Sequence, residues 1–263
     1  MRAPALRLAT LLALVVGSTA FADEPSPALG VDGTAFILQI GDGHALRGAE
    51  LVGAELTLDD DTTIRIDGVR TDPLDASGEV LLHRLSVRVG DGVWENPCEA
   101  APDGTREALP IPGQWDAGGR YRADPARFAI SCTGGAQAKC VRSGYRPWKQ
   151  AADGTALAPL YEACVRMIRA DYCGDGTPAT RDGTLIDIYD RHGIQASAND
   201  PGLQFEAGWS PEGAVCVAHT RIADELDLGA LAQRCPRLRD ALGTRCDEAR
   251  AVSLGALVFN GSR

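Results

Sequence analysis

The sequence predicts an α+β fold: a β-rich N-terminal half, then a disulfide-stapled α+β half with a β-hairpin and two or three helices. Three observations carry this expectation. Short apolar alternations broken by Asp and Gly clusters fill the first half. A helical apolar period appears only beyond Thr155, and eight cysteines are spread from Cys98 to Cys246.

The chain opens with a leader rather than with fold. Arg2 and Arg7 precede an uncharged Leu/Ala/Val stretch from Leu8 to Ala22 that ends in Ala20-Phe21-Ala22, a small-x-small cleavage pattern. Its 15 residues are too few to span a bilayer, which takes about 20. Residues 1–22 are therefore read as a signal peptide cleaved after Ala22, which directs the protein to the periplasm or the medium. No integral membrane segment is expected in the 241 residues that follow, out of 263.

Residues 23–33 ("DEPSPALGVDG") lack periodicity and read as a flexible leader. Residues 34–126 form the β-rich region. In "TIRIDGV", Ile64, Ile66 and Val69 suit a buried face, with Arg65 and Asp67 toward solvent. The small repeat "RGAEL–VGAEL" is too short for a solenoid and suits paired strands. Residues 95–126, rich in Pro and Gly, read as a long loop for a disulfide from Cys98 to tie down.

Residues 127–263 form the second, α+β unit. "ARFAISC" suits a strand ending at Cys132. Leu157, Leu160, Tyr161, Cys164, Val165 and Ile168 fall on one helix face, with Thr155 as its cap. "LQFEAGWS" and "AVCVAHTRI", joined by Pro211-Glu212-Gly213, predict a hairpin. Pairing Ser210 with Gly213 puts Phe205, Ala207, Trp209, Ala214, Cys216 and Ala218 on the core face. Gln204, Glu206 and His219 then lie on the other face. Asp227 is placed to cap a short helix that Pro236 stops. A helical piece around Leu238 and Leu242 then precedes a last strand, "LGALVFNG".

An even count of cysteines in an oxidising compartment points to disulfides at Cys98, Cys132, Cys140, Cys164, Cys173, Cys216, Cys235 and Cys246. Spacing favours Cys98–Cys132 and the local Cys235–Cys246, leaving the other four to pair among themselves. No C-x-x-C or H-x-x-x-H supports zinc. Two lysines stand against 24 arginines, the usage of a GC-rich bacterial genome. Losing Arg2 and Arg7 with the leader takes the formal net charge from −10 to −12, which disfavours nucleic acid and anionic membrane as partners. Oligomeric state is left open.

The stretch "ADYCGDGTPATRDG" concentrates the candidate chemistry. Asp171, Asp175 and Asp182 fall at positions 1, 5 and 12 of an EF-hand-like frame with Gly176 at 6, so a loose Ca²⁺ site is one reading. Cys173 at position 3 and an Asp at 12 depart from that frame. The other reading is a glycine turn with Asp side chains bonding the backbone. Asp187, Glu206 and His219 are the candidates for acid–base work of the glycosidase kind. His44, His83 and His192 are placed in turns or exposed strand positions. No G-x-S-x-G supports a serine nucleophile. Finally, "GYRPWK" sets Tyr145, Arg146 and Trp148 beside Arg142 and Lys149, either as an anion- or carbohydrate-binding patch or as packing with local ion pairs.

Taken together, "AKCVRSGYRPWK", "ACVRMIRADYCGDG", "RDGTLIDIYD", "FEAGWSPEGAVCVAHTRI" and "RCP", over about residues 127–236, resemble the ADYC-domain family of secreted bacterial proteins. The name is that of Ala170-Asp171-Tyr172-Cys173. The resemblance extends to the β-rich stretch before it and implies no catalytic residue or ligand. The expectation is a secreted, disulfide-stabilised binding or structural module. The alternative is an extracellular, glycan-directed hydrolase using Asp/Glu acid–base residues.

Overall fold

The computed structural model describes residues 28–40, 43–57, 61–101, 103–116 and 119–263; the expected signal peptide lies outside them. The expected leader becomes strand at Ala28. β1 (Ala28–Asp32), β2 (Ala35–Ile40) and β3 (His44–Arg47) form an antiparallel sheet in that order. The first copy of the small repeat makes a 3-10 turn, Gly48–Leu51, and the second opens β4 (Glu55–Thr57).

β5 (Thr62–Thr71), β6 (Leu81–Val89), β7 (Ala108–Pro112) and β10 (Phe128–Cys132) complete a five-stranded sheet ordered β10-β7-β6-β5-β4. A two-stranded ribbon, β8 (Gln114–Trp115) with β9 (Tyr121–Arg122), lies between β7 and β10 in sequence. The region expected as loop thus holds three strands, because β7 accommodates its prolines. Gly113 donates to the Arg127 carbonyl and Thr133 to the Glu107 carbonyl, so the bonded β7–β10 rungs fall on odd-numbered residues. Pro110 and Pro112, which have no N–H, face β6 instead, and β6 meets β7 at a single rung, His83–Ala108.

The second half supplies α1 (Ala136–Arg142), α2 (Leu157–Arg169), β11 (Asp187–Asp190), β12 (Gln204–Ser210), β13 (Gly213–Val217), α3 (Leu228–Arg234), α4 (Glu248–Ser253) and β14 (Val258–Ser262). Its four strands are ordered β11-β14-β12-β13, with the chain's last strand in the interior of the sheet. Asp227 caps α3 by accepting from the Ala230 amide, as its position predicts. Thr155 does not cap α2; its amide is held by Asp153, and α2 starts with Leu157 donating to the Lys149 carbonyl.

A continuous core crosses the expected boundary near residue 126. Val80, Leu82, Leu109 and Ile111 of the five-stranded sheet join Leu160, Tyr161, Met167, Trp209 and Val258. The opposite face of that sheet, with Ile64, Ile66 and Leu85, packs on Phe36 and Leu51. Ion pairs reinforce the junction. Arg142 reaches Asp72 at 2.6 Å and Arg146 reaches Asp75 at 2.6 Å, while Arg146 and Lys149 share Glu79.

The disulfides are Cys98–Cys132, Cys140–Cys164, Cys173–Cys235 and Cys216–Cys246. The first agrees with the spacing argument, but the Cys235–Cys246 expectation is overturned. Leu231 and Leu238 beside Cys235 enter the main core with Cys173, whereas Cys246 lies with Cys216 under the other face of the C-terminal sheet. Non-reducing peptide mapping should recover the Cys235 peptide linked to that of Cys173. Opening this cross-link, which spans 62 residues, with paired Ser substitutions should cost about 4 kcal/mol by loop entropy.

His83 also departs from expectation. Paired with Val69 and Ala108, it is fully buried edge-on to Phe36, 4.9 Å between ring centres. Burial lowers its pKa from 6.5 to about 4, only partly offset by the Ala108 backbone and Glu107. The folded protein therefore keeps the ring neutral while the unfolded chain takes up a proton. Stability should be fully present above pH 6.5 and fall by about 3 kcal/mol as the pH drops toward 4. His83→Phe should remove that decline in urea unfolding, leaving the carboxylate-linked loss at lower pH.

Candidate functional site

Each letter of Ala170-Asp171-Tyr172-Cys173 has a separate mechanical task. Ala170 ends α2 in the left-handed region, φ +48°, with its methyl buried. That conformation costs an Ala about 1 kcal/mol and turns the next three side chains inward. Asp171, fully buried, accepts from Arg166 at 2.6 Å and from the amides of Asp175 and Gly176 at 3.1 and 2.9 Å. Cys173 closes the bond to Cys235. Gly174 then lies against the β12–β13 turn so closely that a Cβ there would collide with the Glu212 carbonyl. Arg166 and Arg237 clasp that turn from two sides, donating to the carbonyls of Pro211 and of Glu212, Ala214 and Tyr172.

Tyr172 leads into a buried polar network. Its hydroxyl donates to Glu206 at 2.9 Å and accepts from the Arg221 amide at 2.8 Å, while its ring stacks on Trp209, 5.2 Å between centres. Arg221 grips both Glu206 oxygens at 3.0 Å, and its remaining N–H groups reach the Met167 and Ile168 carbonyls and the Thr180 hydroxyl. Asn260 donates to Glu206 and accepts from the Trp209 indole, each at 2.7 Å. Burial and the Glu206 charge push the Tyr172 phenol upward. The arrangement is a satisfied, buried ion pair at the end of a helix, whose free carbonyls favour a cation.

Glu206 arrives there through a bulge. The β12–β14 register shifts between Phe205 and Ala207, so Glu206 and Ala207 both face the main core. A second shift, between Gly208 and Trp209, turns Cys216 to the opposite face and brings Val217 in beside Ala214. The Ser210–Gly213 pairing stands, but strict alternation beyond it does not. The expected solvent-facing Glu206 and core-facing Cys216 beside Trp209 are corrected accordingly.

The remaining candidates are dispersed. Asp187 accepts from Ser197 and the Ala198 amide, and His219 pairs with the Ser262 hydroxyl at 3.0 Å, so neither converges with Glu206. Asp171, Asp175 and Asp182 are not brought together. Arg166 neutralises the first, Arg234 meets the second at 3.2 Å, and the third lies in a separate surface depression with Lys139. Among the described residues, no three His, Cys, Asp or Glu side chains gather as metal ligands. Tyr145 is buried and donates to Asp190, Arg146 is tied to Asp75 and Glu79, and Trp148 lies against Gly33, so "GYRPWK" joins the two halves instead of forming an open patch. Sequence reasoning missed Arg221, Arg237 and Asn260. The signal for Arg221 was a cation three residues past an apolar strand run, in "AVCVAHTRI".

The molecule is thus a disulfide-locked α+β domain whose buried charges are spent on its own architecture. Residues 48–223 match the ADYC domain, and the chain belongs to that family. No curated protein and no solved structure matches the chain. No helix among the described residues is long and apolar enough to cross a membrane.

Arg221→Met should cost about 3–5 kcal/mol, because Glu206 is left buried without its counter-charge. The double variant with Glu206→Gln should recover part of that loss in urea unfolding. Removing the exposed Arg47–Asp32 pair should change stability by less than about 1 kcal/mol.

Proposed function

We propose that this protein is an exported bacterial binding or structural module, held in shape by its four disulfides and not by a metal. The observation that carries this reading is the state of Glu206. The best-buried candidate acid is held by Arg221, Tyr172 and Asn260, and none of its partners among the described residues is a second carboxylate. A general acid or base needs a reachable proton and room for substrate beside it. Here the pair excludes both. The uncharged stretch and small-x-small pattern ending at Ala22 support export, and the four disulfides fit an oxidising compartment.

Cell fractionation with N-terminal sequencing should find the mature chain outside the cytoplasm and beginning at Asp23. Purified protein should show no turnover of oligosaccharide or polysaccharide. Glycan hydrolysis that disappears in a folded Glu206→Gln, Asp187→Asn or His219→Gln variant would refute the module reading and install the hydrolase.

A further inference from the structure

We propose that the outer edge of β10 is a docking strand for an extended, acidic peptide segment of another protein. The inference rests on the binding-module reading and names its partner class. β10 is the terminal strand of the five-stranded sheet. The bonds from Gly113 to Arg127 and from Thr133 to Glu107 fix the phase of its ladder. Ala129 and Ser131 therefore bond β7, while the amides and carbonyls of Phe128 and Ile130 point away from the sheet. No described residue pairs with that edge.

The edge lacks the usual protection. Natural edge strands are shortened, bulged, or guarded by Lys and Pro. β10 runs five residues, Phe-Ala-Ile-Ser-Cys, in regular register, with Ile130 36% exposed. The opposite edge, β4, is three residues long and carries Glu55. An added strand would also find side-chain sites at both ends of β10. A depression of about 460 Å³ walled by Trp115, Arg127 and Phe128 lies at one end. Another of about 620 Å³, with Cys132 and Lys139, lies at the other.

Charge selects the occupant. Arg127, 69% exposed, touches Asp124 only at 3.7 Å, and Arg122, across from Gln114 of the same depression, has no carboxylate partner among the described residues. These cations stand out on a chain of formal net charge −10. The Lys139 end is mixed, since Glu99 and Asp182 share it. The acidic residues of the peptide therefore belong at the Phe128 end. Backbone pairing supplies the hold and the flanking depressions the selectivity, as in other strand-addition complexes.

The probe is acetyl-DDVTVTV-amide, with acetyl-KKVTVTV-amide as control. Adding the acidic probe to the intact protein should slow hydrogen exchange at the Phe128 and Ile130 amides and leave Ala129, already bonded to β7, unchanged. Ile130→Pro removes an outward donor opposite Pro110 without touching a β7 bond, and should weaken binding about ten-fold, some 1.4 kcal/mol. The Arg122→Glu, Arg127→Glu double variant should reverse the preference between probes. Unchanged exchange at Phe128 and Ile130 in the wild-type protein overturns the proposal even if Ile130→Pro fails to fold. Equal affinity for the two probes also overturns it. Either result, with no glycan turnover, removes this partner and leaves the module reading standing.

Discussion

A buried arginine sets the terms for the second half of this protein. Arg221 is withdrawn from water, its side chain 1% exposed, and every one of its N–H groups must find an acceptor inside the molecule. The acceptors come from elements far apart in sequence. Met167 and Ile168 lend the carbonyls at the C-terminal end of α2, the bulge in β12 delivers Glu206, and Thr180 supplies a hydroxyl. Tyr172 and Asn260 complete the carboxylate. Helix end, turn and sheet are held in one arrangement because any other leaves a charge unpaired in a dry core. Such a lock specifies a structure more than it adds to net stability.

The same residue type recurs wherever pieces must be joined. Arg142, at the end of α1, and Arg146, just after it, bind the loop between β5 and β6. Arg166 and Arg237 hold the β12–β13 turn against the end of α2. A guanidinium suits these junctions because its planar fork bonds several carbonyls or both carboxylate oxygens at once, which a lysine ammonium does not. The disulfides add covalent ties at other joints, Cys140–Cys164 between α1 and α2 and Cys173–Cys235 between the turn after α2 and the end of α3. Asp75 shows the effect on titration: its bonds to Ser77, the Val80 amide and Arg146 outweigh burial and hold its carboxyl well below the usual range.

How much of this was legible in the sequence depended on whether local periodicity stayed regular. α2 was readable because its apolar face repeats without interruption, and the Pro211-Glu212-Gly213 turn was readable from its composition. The faces of β12 and β13 were not, since one bulge at Glu206 in β12 and another at Val215 in β13 reverse alternation without leaving a distinctive residue. β7 was hidden by Pro110 and Pro112, which count against a strand until one knows they face the gap beside β6. α4 was missed because six residues carry too little period, although Asp247 caps it by accepting from the Arg250 amide. The candidate site was legible as a motif and not as a mechanism. "ADYC" marked the place, but its meaning depends on Arg221, Glu206 and Asn260, which only tertiary contacts bring to it.

The tyrosine of this motif stabilises the fold through the Glu206–Arg221 pair. A double-mutant cycle on unfolding free energy between Tyr172→Phe and Glu206→Gln tests it most directly, since the two groups share one hydrogen bond at the heart of the network. Strong non-additivity is expected, a coupling energy of about 1–3 kcal/mol. Additive losses, with coupling near zero, would contradict it and make Tyr172 an ordinary packed ring.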